Sequence, residues 1–304
     1  MLFKRLVGIL PVVFGVLLLT FLLVHLVPGD PVEVMLGESA TSADRSVLRA
    51  ELGLDKPLPL QFVDYLSKLA RGDFGVSIHS HASIAGLLAE RIPATARLAL
   101  LSLAIALAIG LPLGIVAALN HRRWPDRIAT LSALTLSAMP HFWLGPLLML
   151  VFALWLGWLP VSGMENDASI VLPALTLASG LAAILTRMTR ASLLEVLNED
   201  FVRTARAKGL PERTVILRHA MKAALLPVVT VVGLQLGSLL AGAVITETVF
   251  GWEGVGRLLV ESIEKRDYPV TQACVLAIAL TYVLINLLTD LLYSRLDPRV
   301  RFNA

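Results

Sequence analysis

Long apolar runs separated by short polar stretches dominate the chain. A transmembrane helix needs about 20 consecutive apolar residues. Six segments meet or approach that length: Leu6–Val27, Leu98–Leu119, Ile128–Leu156, Ile170–Thr186, Ala224–Thr246 and Gln272–Leu292. The third is long and holds Pro140 and Pro146, which predicts a kink or tilt. The fourth is short and borrows from its flanks. The first follows Lys4 and Arg5 and is longer than a signal-peptide core of roughly 7–15 residues. Val27-Pro28-Gly29-Asp30 follows it in place of a small-x-small cleavage site, so it reads as a retained span.

Composition agrees with this pattern. Of 304 residues, 56% are hydrophobic and 16% charged, against about 25% charged in soluble domains. Mean hydropathy is +0.76. The net charge of +3 does not signal nucleic acid, because the basic residues flank the spans. Lys4, Arg5, Arg122, Arg123, Arg127, the eight Lys and Arg of 187–223, and Arg295, Arg299 and Arg301 all fall on one side. Only Arg257, Lys265 and Arg266 lie in short loops on the other. Cytoplasmic loops carry the excess of Lys and Arg, so both termini are expected inside. Trp155 and Trp158 at the outer end of the third span, and Trp124 in the inner loop before it, suit the aromatic preference for membrane interfaces.

The outer loop 28–96 reads as a small helical element. Ser42 can cap a helix over 43–52 that Gly53 stops. A second helix is expected over Leu60–Ala70, with Phe62, Tyr65, Leu66 and Leu69 on one face and Gly72-Asp73-Phe74-Gly75 at its end; it should pack on the spans or on a partner. The outer loop 249–271 holds an amphipathic piece: Val255, Leu258, Leu259 and Ile263 oppose Arg257, Glu261 and Lys265. Either a helix lying flat on the bilayer or a surface for a partner would use that face.

The inner loop 187–223 carries the strongest design. Asn198 is the expected N-cap, with Glu199 and Asp200 in a first turn that favours acids. The helix runs to Lys208, Gly209 supplies a left-handed stop, and Pro211 opens a second short helix. Ala205 and Ala207 are small enough to let another backbone approach.

The run Asp200-Phe201-Val202-Arg203-Thr204-Ala205-Arg206-Ala207-Lys208-Gly209, with Arg218-His219-Ala220 and Leu225-Leu226-Pro227, resembles the "EAA" loop of binding-protein-dependent ABC transporter permeases. The R-T-A-R-A-K-G form is similar to the peptide/nickel branch, with its dipeptide/oligopeptide B-type subunits. The leading Glu of the generic pattern is replaced by Arg203, and the spacing from Gly209 to Leu226-Pro227 is long for that pattern. Pro28-Gly29-Asp30-Pro31, Leu52-Gly53-Leu54-Asp55-Lys56-Pro57-Leu58, Gly72-Asp73-Phe74-Gly75, Phe250-Gly251-Trp252-Glu253-Gly254-Val255-Gly256-Arg257, Arg266-Asp267-Tyr268-Pro269-Val270 and Leu296-Asp297-Pro298-Arg299 extend the resemblance over nearly the whole chain.

The resemblance implies an all-α membrane protein of type I ABC importer permease fold in a bacterial inner membrane. Its parts would be a first span (1–27), an outer element (28–96), a core (97–293) and a cytoplasmic tail (294–304). It implies a second homologous permease, two cytoplasmic ATPase subunits that hold ATP and Mg, and a periplasmic substrate-binding protein. Residues Arg203, Thr204, Ala205, Arg206, Ala207, Lys208, Gly209 and Leu210 would dock on an ATPase, with Ala205 as a close contact and Gly209 setting the helix angle. Asp73, Phe74, Trp252, Glu253, Arg257 and Asp267 are candidate contacts to the binding protein. Pro140, His141, Gln235 and Ser238 are candidates for the pathway, since broken helices at membrane depth tend to line cavities. The expected cargo is a di- or oligopeptide, with nickel chelate, glutathione or opine as alternatives.

Other chemistry is missing from the sequence. There is no G-x-x-x-x-G-K-[ST], and no Gly is followed by Lys, so nucleotide hydrolysis must sit on another chain. G-x-S-x-G and H-E-x-x-H are absent. No catalytic residue, metal ligand or cofactor is assigned to this chain, and His141 without neighbouring ligands reads as a packed ring. Glu247 and Asp290 lie at span ends, where charges snorkel, which argues against an ion-coupled carrier. A scaffold that only binds an ATPase is the third alternative.

Overall fold

The computed structural model describes residues 2–26, 32, 46, 49 and 55–296, with side chains described at 10–22, 32, 46, 49 and 55–289. The helix expected over 43–52, with Ser42 as its cap, lies mostly outside the described residues; Ser46 and Arg49 are helical. In chain order the helices are α1 (Leu2–Leu26), α2 (Leu58–Ala70), α3 (Ile84–Leu119), α4 (Trp124–Ala138), α5 (His141–Trp155), α6 (Asp167–Val196), α7 (Asp200–Ala207), α8 (Glu212–Phe250), α9 (Val255–Glu264) and α10 (Tyr268–Leu296). The described residues hold no strand, only an isolated bridge between Val76 and Ser83.

Helices α3, α6, α8 and the Tyr268–Thr289 part of α10 are each long and apolar enough to cross a membrane. Helices α4 and α5 make a fifth crossing only if counted together. They are bent by 110°, so the kink expected at Pro140 is a full break. Pro140 has no N–H to continue the ladder, and it pushes Met139 into an extended conformation (φ −83°, ψ 121°). The Pro140 carbonyl then accepts from the amides of Trp143 and Leu144, both at 3.0 Å, and restarts the helix. Within α1 the apolar stretch whose side chains are described is Leu10–Leu22.

The chain divides into two compact units. One comprises Met1–Thr95 and Glu253–Val283. Here the predicted face of α2 is used: Phe62 meets Phe14 edge-to-face (5.9 Å) and lies tilted against Phe21 (5.2 Å), and Tyr65 lies 5.9 Å from Phe21. The Tyr65 hydroxyl meets Thr20 Oγ1 at 3.2 Å, and Gln272 of α10 donates to the Thr20 carbonyl at 2.9 Å. The apolar face of α9 is also consumed inside this unit. Val255 and Leu258 pack with Ile84, Leu88, Val270, Ala273 and Cys274. Neither a bilayer-surface helix nor a partner surface describes that face, because its side chains already have apolar neighbours in this chain. Ile263 alone of the four stays exposed.

The other unit comprises Ala96–Trp252 and Leu284–Ala304, and its core is α6. Fifteen side chains of Val171–Val196 are buried, most of them Ala, Ser, Thr or Leu. The helix begins where Asn166 Oδ1 accepts from the Ser169 amide at 3.0 Å. It runs past the expected end at Thr186 to Val196, because Arg187 and Arg190 continue it beyond the apolar stretch. Helix α3 meets α6 at Gly110 and Gly114, a G-x-x-x-G pair that lets two backbones approach closely. A methyl carbon on Gly110 would lie 2.9 Å from the Ala182 carbonyl oxygen, and one on Gly114 would lie 2.7 Å from that of Thr186.

Gly114→Ala therefore forces a backbone shift, and overpacking of this kind costs about 1–3 kcal/mol. The Tm of the detergent-purified protein is expected to fall. Gly86→Ala, with no atom nearer than 4.0 Å to the added carbon, is expected to leave it unchanged or raised.

Candidate functional site

The segment after α6 carries the predicted helix–Gly–Pro design with two changes. The N-cap is Glu199. Asn198 instead closes α6, its amide donating to the Leu194 carbonyl at 2.9 Å. The second helix is not short: Pro211 caps Glu212–Thr214, a π-helical turn follows over Val215–Ala220, and the helix continues to Phe250. The segment thus hands its orientation directly to a 39-residue helix. Gly209 adopts φ +74°, the left-handed stop expected of it.

Helix α7 is amphipathic. Val202 and Ala205 are buried with Ala118 of α3, Leu193 of α6 and Val215, Ile216, Ala220 and Met221 of α8. Ala205 is therefore a close-packing residue toward its own chain. Phe201, Arg203, Thr204, Arg206, Ala207 and Lys208 are exposed. Arg206 is held by Glu212 through Nη2 at 2.7 Å and Nε at 3.2 Å, across the Gly209–Pro211 turn. Arg203 lies 3.5 Å from Asp200. Leu210 is half-buried on the same cluster.

The candidate outer contacts divide. Asp73 is exposed and accepts from the Gly75 amide at 2.9 Å. Phe74 is half-buried against the α9 cluster. Glu253 is exposed and pairs with Arg91 at 3.2 Å, and Arg257 pairs with Glu261 at 2.7 Å. Trp252 and Asp267 are buried, at 2% and 4% exposure, and are not surface groups. Asp267 precedes α10, accepts from Ser77 Oγ and from the Ile78 amide at 3.3 Å, and so ties the 77–78 turn down. Charge at a chain turn looked like a contact in the sequence, but its partners lie 189 and 190 residues away.

Of the candidate pathway residues, His141 sits between helices. Its Nδ1 lies 3.1 Å from the Thr176 carbonyl oxygen, and its ring is near Gly180 and Gly242, where added methyl carbons would fall 3.5 Å from it. Pro140 is exposed beside it. Gln235 and Ser238 form a local pair, Ser238 Oγ donating to Gln235 Oε1 at 2.9 Å. Glu247 does not snorkel as expected of a span end: it is fully buried. Among the described residues no three His, Cys, Asp or Glu gather into a metal-binding group. One buried charged group carries no motif in the sequence. Asp126, 4% exposed, is clasped by Arg190; an acid directly after a basic turn and Pro125, at a span start, was the available signal.

The described residues are thus helical around a close-packed central helix, with a basic loop folded into a short amphipathic helix on a glycine stop. The chain belongs to the binding-protein-dependent transport system inner membrane component family, which matches residues 110–302, with the family's N-terminal component matching residues 1–99. It is thus the multi-pass inner-membrane permease subunit of an ABC importer. Its relatives include the glutathione transport system permease protein GsiC of Pectobacterium atrosepticum, 47% identical over 299 residues, and that of Escherichia coli K12, 46% identical, each match covering 98% of both chains. Solved structures with the same fold include the MetNI methionine ABC transporter in inward-facing conformations (TM-score 0.61, 17% identity, 69% of this chain and 96% of that one). An amino acid ABC transporter with histidines also matches (TM-score 0.51, 18% identity, 70% of this chain and 94% of that one). Family membership removes the ion-coupled carrier from the alternatives.

A left-handed residue with a side chain costs about 1–2 kcal/mol, a factor of roughly 5–30 in a local equilibrium. Space around Gly209 is open, so the cost there is conformational alone. Gly209→Ala is expected to speed limited tryptic cleavage after Lys208 by that factor. Gly209→Asn, which tolerates the same backbone, is expected to stay near wild type.

Proposed function

We propose that this chain forms half of a translocation path for short peptides, glutathione among them, and that α7 is the helix through which ATP-driven motion reaches it. The observation that carries the cargo reading is the similarity, at 46–47% identity over 98% of both chains, to permeases named for glutathione transport. Glutathione is a tripeptide, so this cargo and the peptide reading share one chemistry: a short zwitterionic backbone with a free carboxylate. The working assembly has a second homologous permease, two ATPase subunits carrying ATP and Mg, and a periplasmic binding protein. Six spans with both termini cytoplasmic accommodate the excess of Lys and Arg on one side, α1 and the bent α4–α5 pair each counting once.

The docking reading rests on the division of α7 into two faces. Val202 and Ala205 fix the helix to its own chain, while Phe201, Arg203, Thr204, Ala207 and Lys208 remain available to an ATPase groove. Gly209 and Leu210 set the exit angle, and Arg206 braces the turn through Glu212. In the mechanism, ATP closes the ATPase pair, α7 moves, and the path opens toward the loaded binding protein. Broken helix α4–α5, with Pro140 and His141, and the Gln235–Ser238 pair on α8 line the path. Asp73, Phe74, Glu253 and Arg257 offer the outer contacts.

Affinity purification from native membranes followed by mass spectrometry is expected to recover ATPase subunits and a second permease with the wild-type chain. Lys208→Glu combined with Ala207→Asp is expected to lose the ATPase subunits while the chain stays abundant in the membrane. Gly209→Pro, incompatible with φ +74°, is expected to abolish uptake with insertion intact. Uptake of labelled glutathione competed by dipeptides supports the cargo; uptake of nickel chelate or opine alone overturns it.

A further inference from the structure

Asp126 stands in the first turn of α4 with its side chain 5% exposed. Arg190 of α6 grips it with two N–H groups, Nε to Oδ1 at 2.5 Å and Nη2 to Oδ2 at 2.8 Å. The Arg122 amide donates to Oδ2 at 2.8 Å, and Thr130 Oγ1 lies 3.4 Å from Oδ1. His121 Nδ1 lies 3.4 Å from Oδ2 and 3.2 Å from Arg190 Nη2. Arg122 itself is left-handed (φ +64°), the tight turn that brings the start of α4 back to α6. A planar guanidinium on a carboxylate fixes direction as well as distance. Asp126 is buried while the Arg190 side chain is 26% exposed, and an ion pair of this kind is weak evidence for net stability.

The position of the clasp is what gives it meaning. Arg190 lies three residues before Leu193, which is fully buried in the cluster that holds Val202 and Ala205 of α7. On α3, Ile115 and Ala118 enter the same cluster just before the 120–123 turn. The clasp and the cluster thus follow one another along both α3–α4 and α6, and together they tie the base of α7 to the ends of three helices.

We propose that Asp126 and Arg190 are positioning residues for transport: their two-pronged clasp locks the ends of α3, α4 and α6 into one body, so that displacement of α7 moves the spans and is not absorbed by the loop. The proposal rests on the reading of α7 as the ATPase-facing helix. Apolar packing of Val202 and Ala205 holds α7 on its cluster through side-chain shape, but that cluster takes no residue from α4 and so does not fix the angle of α4. The bidentate clasp supplies the missing angular restraint.

The test uses the complex purified from its own membranes through a tag on this chain, reconstituted in liposomes, with reduced glutathione as the transported probe. Arg190→Lys keeps the charge and loses the fork; Asp126→Asn keeps the shape and loses the charge. Both variants are expected to assemble with ATPase subunits and to hydrolyse ATP within about twofold of wild type. Glutathione taken up per ATP hydrolysed is expected to fall about tenfold, within the range of ordinary coupling losses. An unchanged ratio in assembled complexes overturns the proposal. Failure of both variants to assemble also overturns it, because the clasp is then a folding determinant only. Absence of ATPase subunits from the wild-type purification is a failure of the docking reading and is seen before any variant is measured. If the wild type takes up no glutathione, the cargo reading has failed. The clasp is then scored by the same ratio of solute taken up to ATP hydrolysed, measured with whichever of labelled dipeptide, nickel chelate or opine the wild type takes up, which must drop about tenfold in both variants; an unchanged ratio overturns the proposal.

Discussion

The closeness with which other helices approach α6 is the constraint on which the larger unit depends. In an apolar solvent there is no hydrophobic drive between helices, and association rests on van der Waals contact and interhelical hydrogen bonds. Contact of that kind demands small residues. Helix α6 supplies Ala174, Ala178, Ser179, Ala182 and Ala183 as buried surface, and its neighbours answer with Gly110 and Gly114 from α3. At Gly114 the separation leaves no room for a methyl group. Three polar side chains of α6 are satisfied along the helix itself: Thr176 and Thr186 donate to carbonyls four residues earlier, both at 2.8 Å, and Ser179 donates to the Thr176 carbonyl at 2.7 Å. Thr189 Oγ1, packed where α3 presents Gly114, is buried without a hydrogen-bond partner among the described residues.

From that central helix the functional geometry extends at both ends. Toward the Thr176–Gly180 region, α6 offers a carbonyl and a bare backbone patch to His141, which sits where α4 breaks into α5. His141 is half-buried there, its Nδ1 3.1 Å from the Thr176 carbonyl oxygen. Its position at the break joins α5, α6 and α8 at one point. Toward Arg190 and Leu193, the same helix holds both the clasp on Asp126 and the cluster beneath α7. The 110° break and the amphipathic loop helix are therefore two ends of one packed element.

The loop helix α7 is anchored to its own chain while most of its surface stays exposed. Two of its eight residues, Val202 and Ala205, are spent on the chain's own core. The rest face away, and the Arg206–Glu212 pair braces a turn whose glycine alone would leave it loose. Such exposed pairs are worth only about 0.2–1 kcal/mol each. The orientation of α7 therefore comes mainly from apolar burial beneath it and from the continuous helix that follows Pro211.

The sequence by itself determined the features that depend on neighbouring residues along the chain. These are the apolar runs, the break at Pro140, the face of α2, the left-handed stop at Gly209 and the charge asymmetry. They follow from backbone sterics and periodicity, which are local. Motif order along the chain also sufficed to identify the family. The structure alone decided which polar groups had partners far away. Asp267, read as a surface contact, is consumed by Ser77 and Ile78; Trp252 is buried; the apolar face of α9 is covered within its own unit; and Asp126 and Arg190 find one another across 64 residues. A charge or an aromatic ring carries no mark of whether its partner is solvent, another protein or a distant helix of the same chain. Only the packing that brings those helices to within a few ångströms decides it.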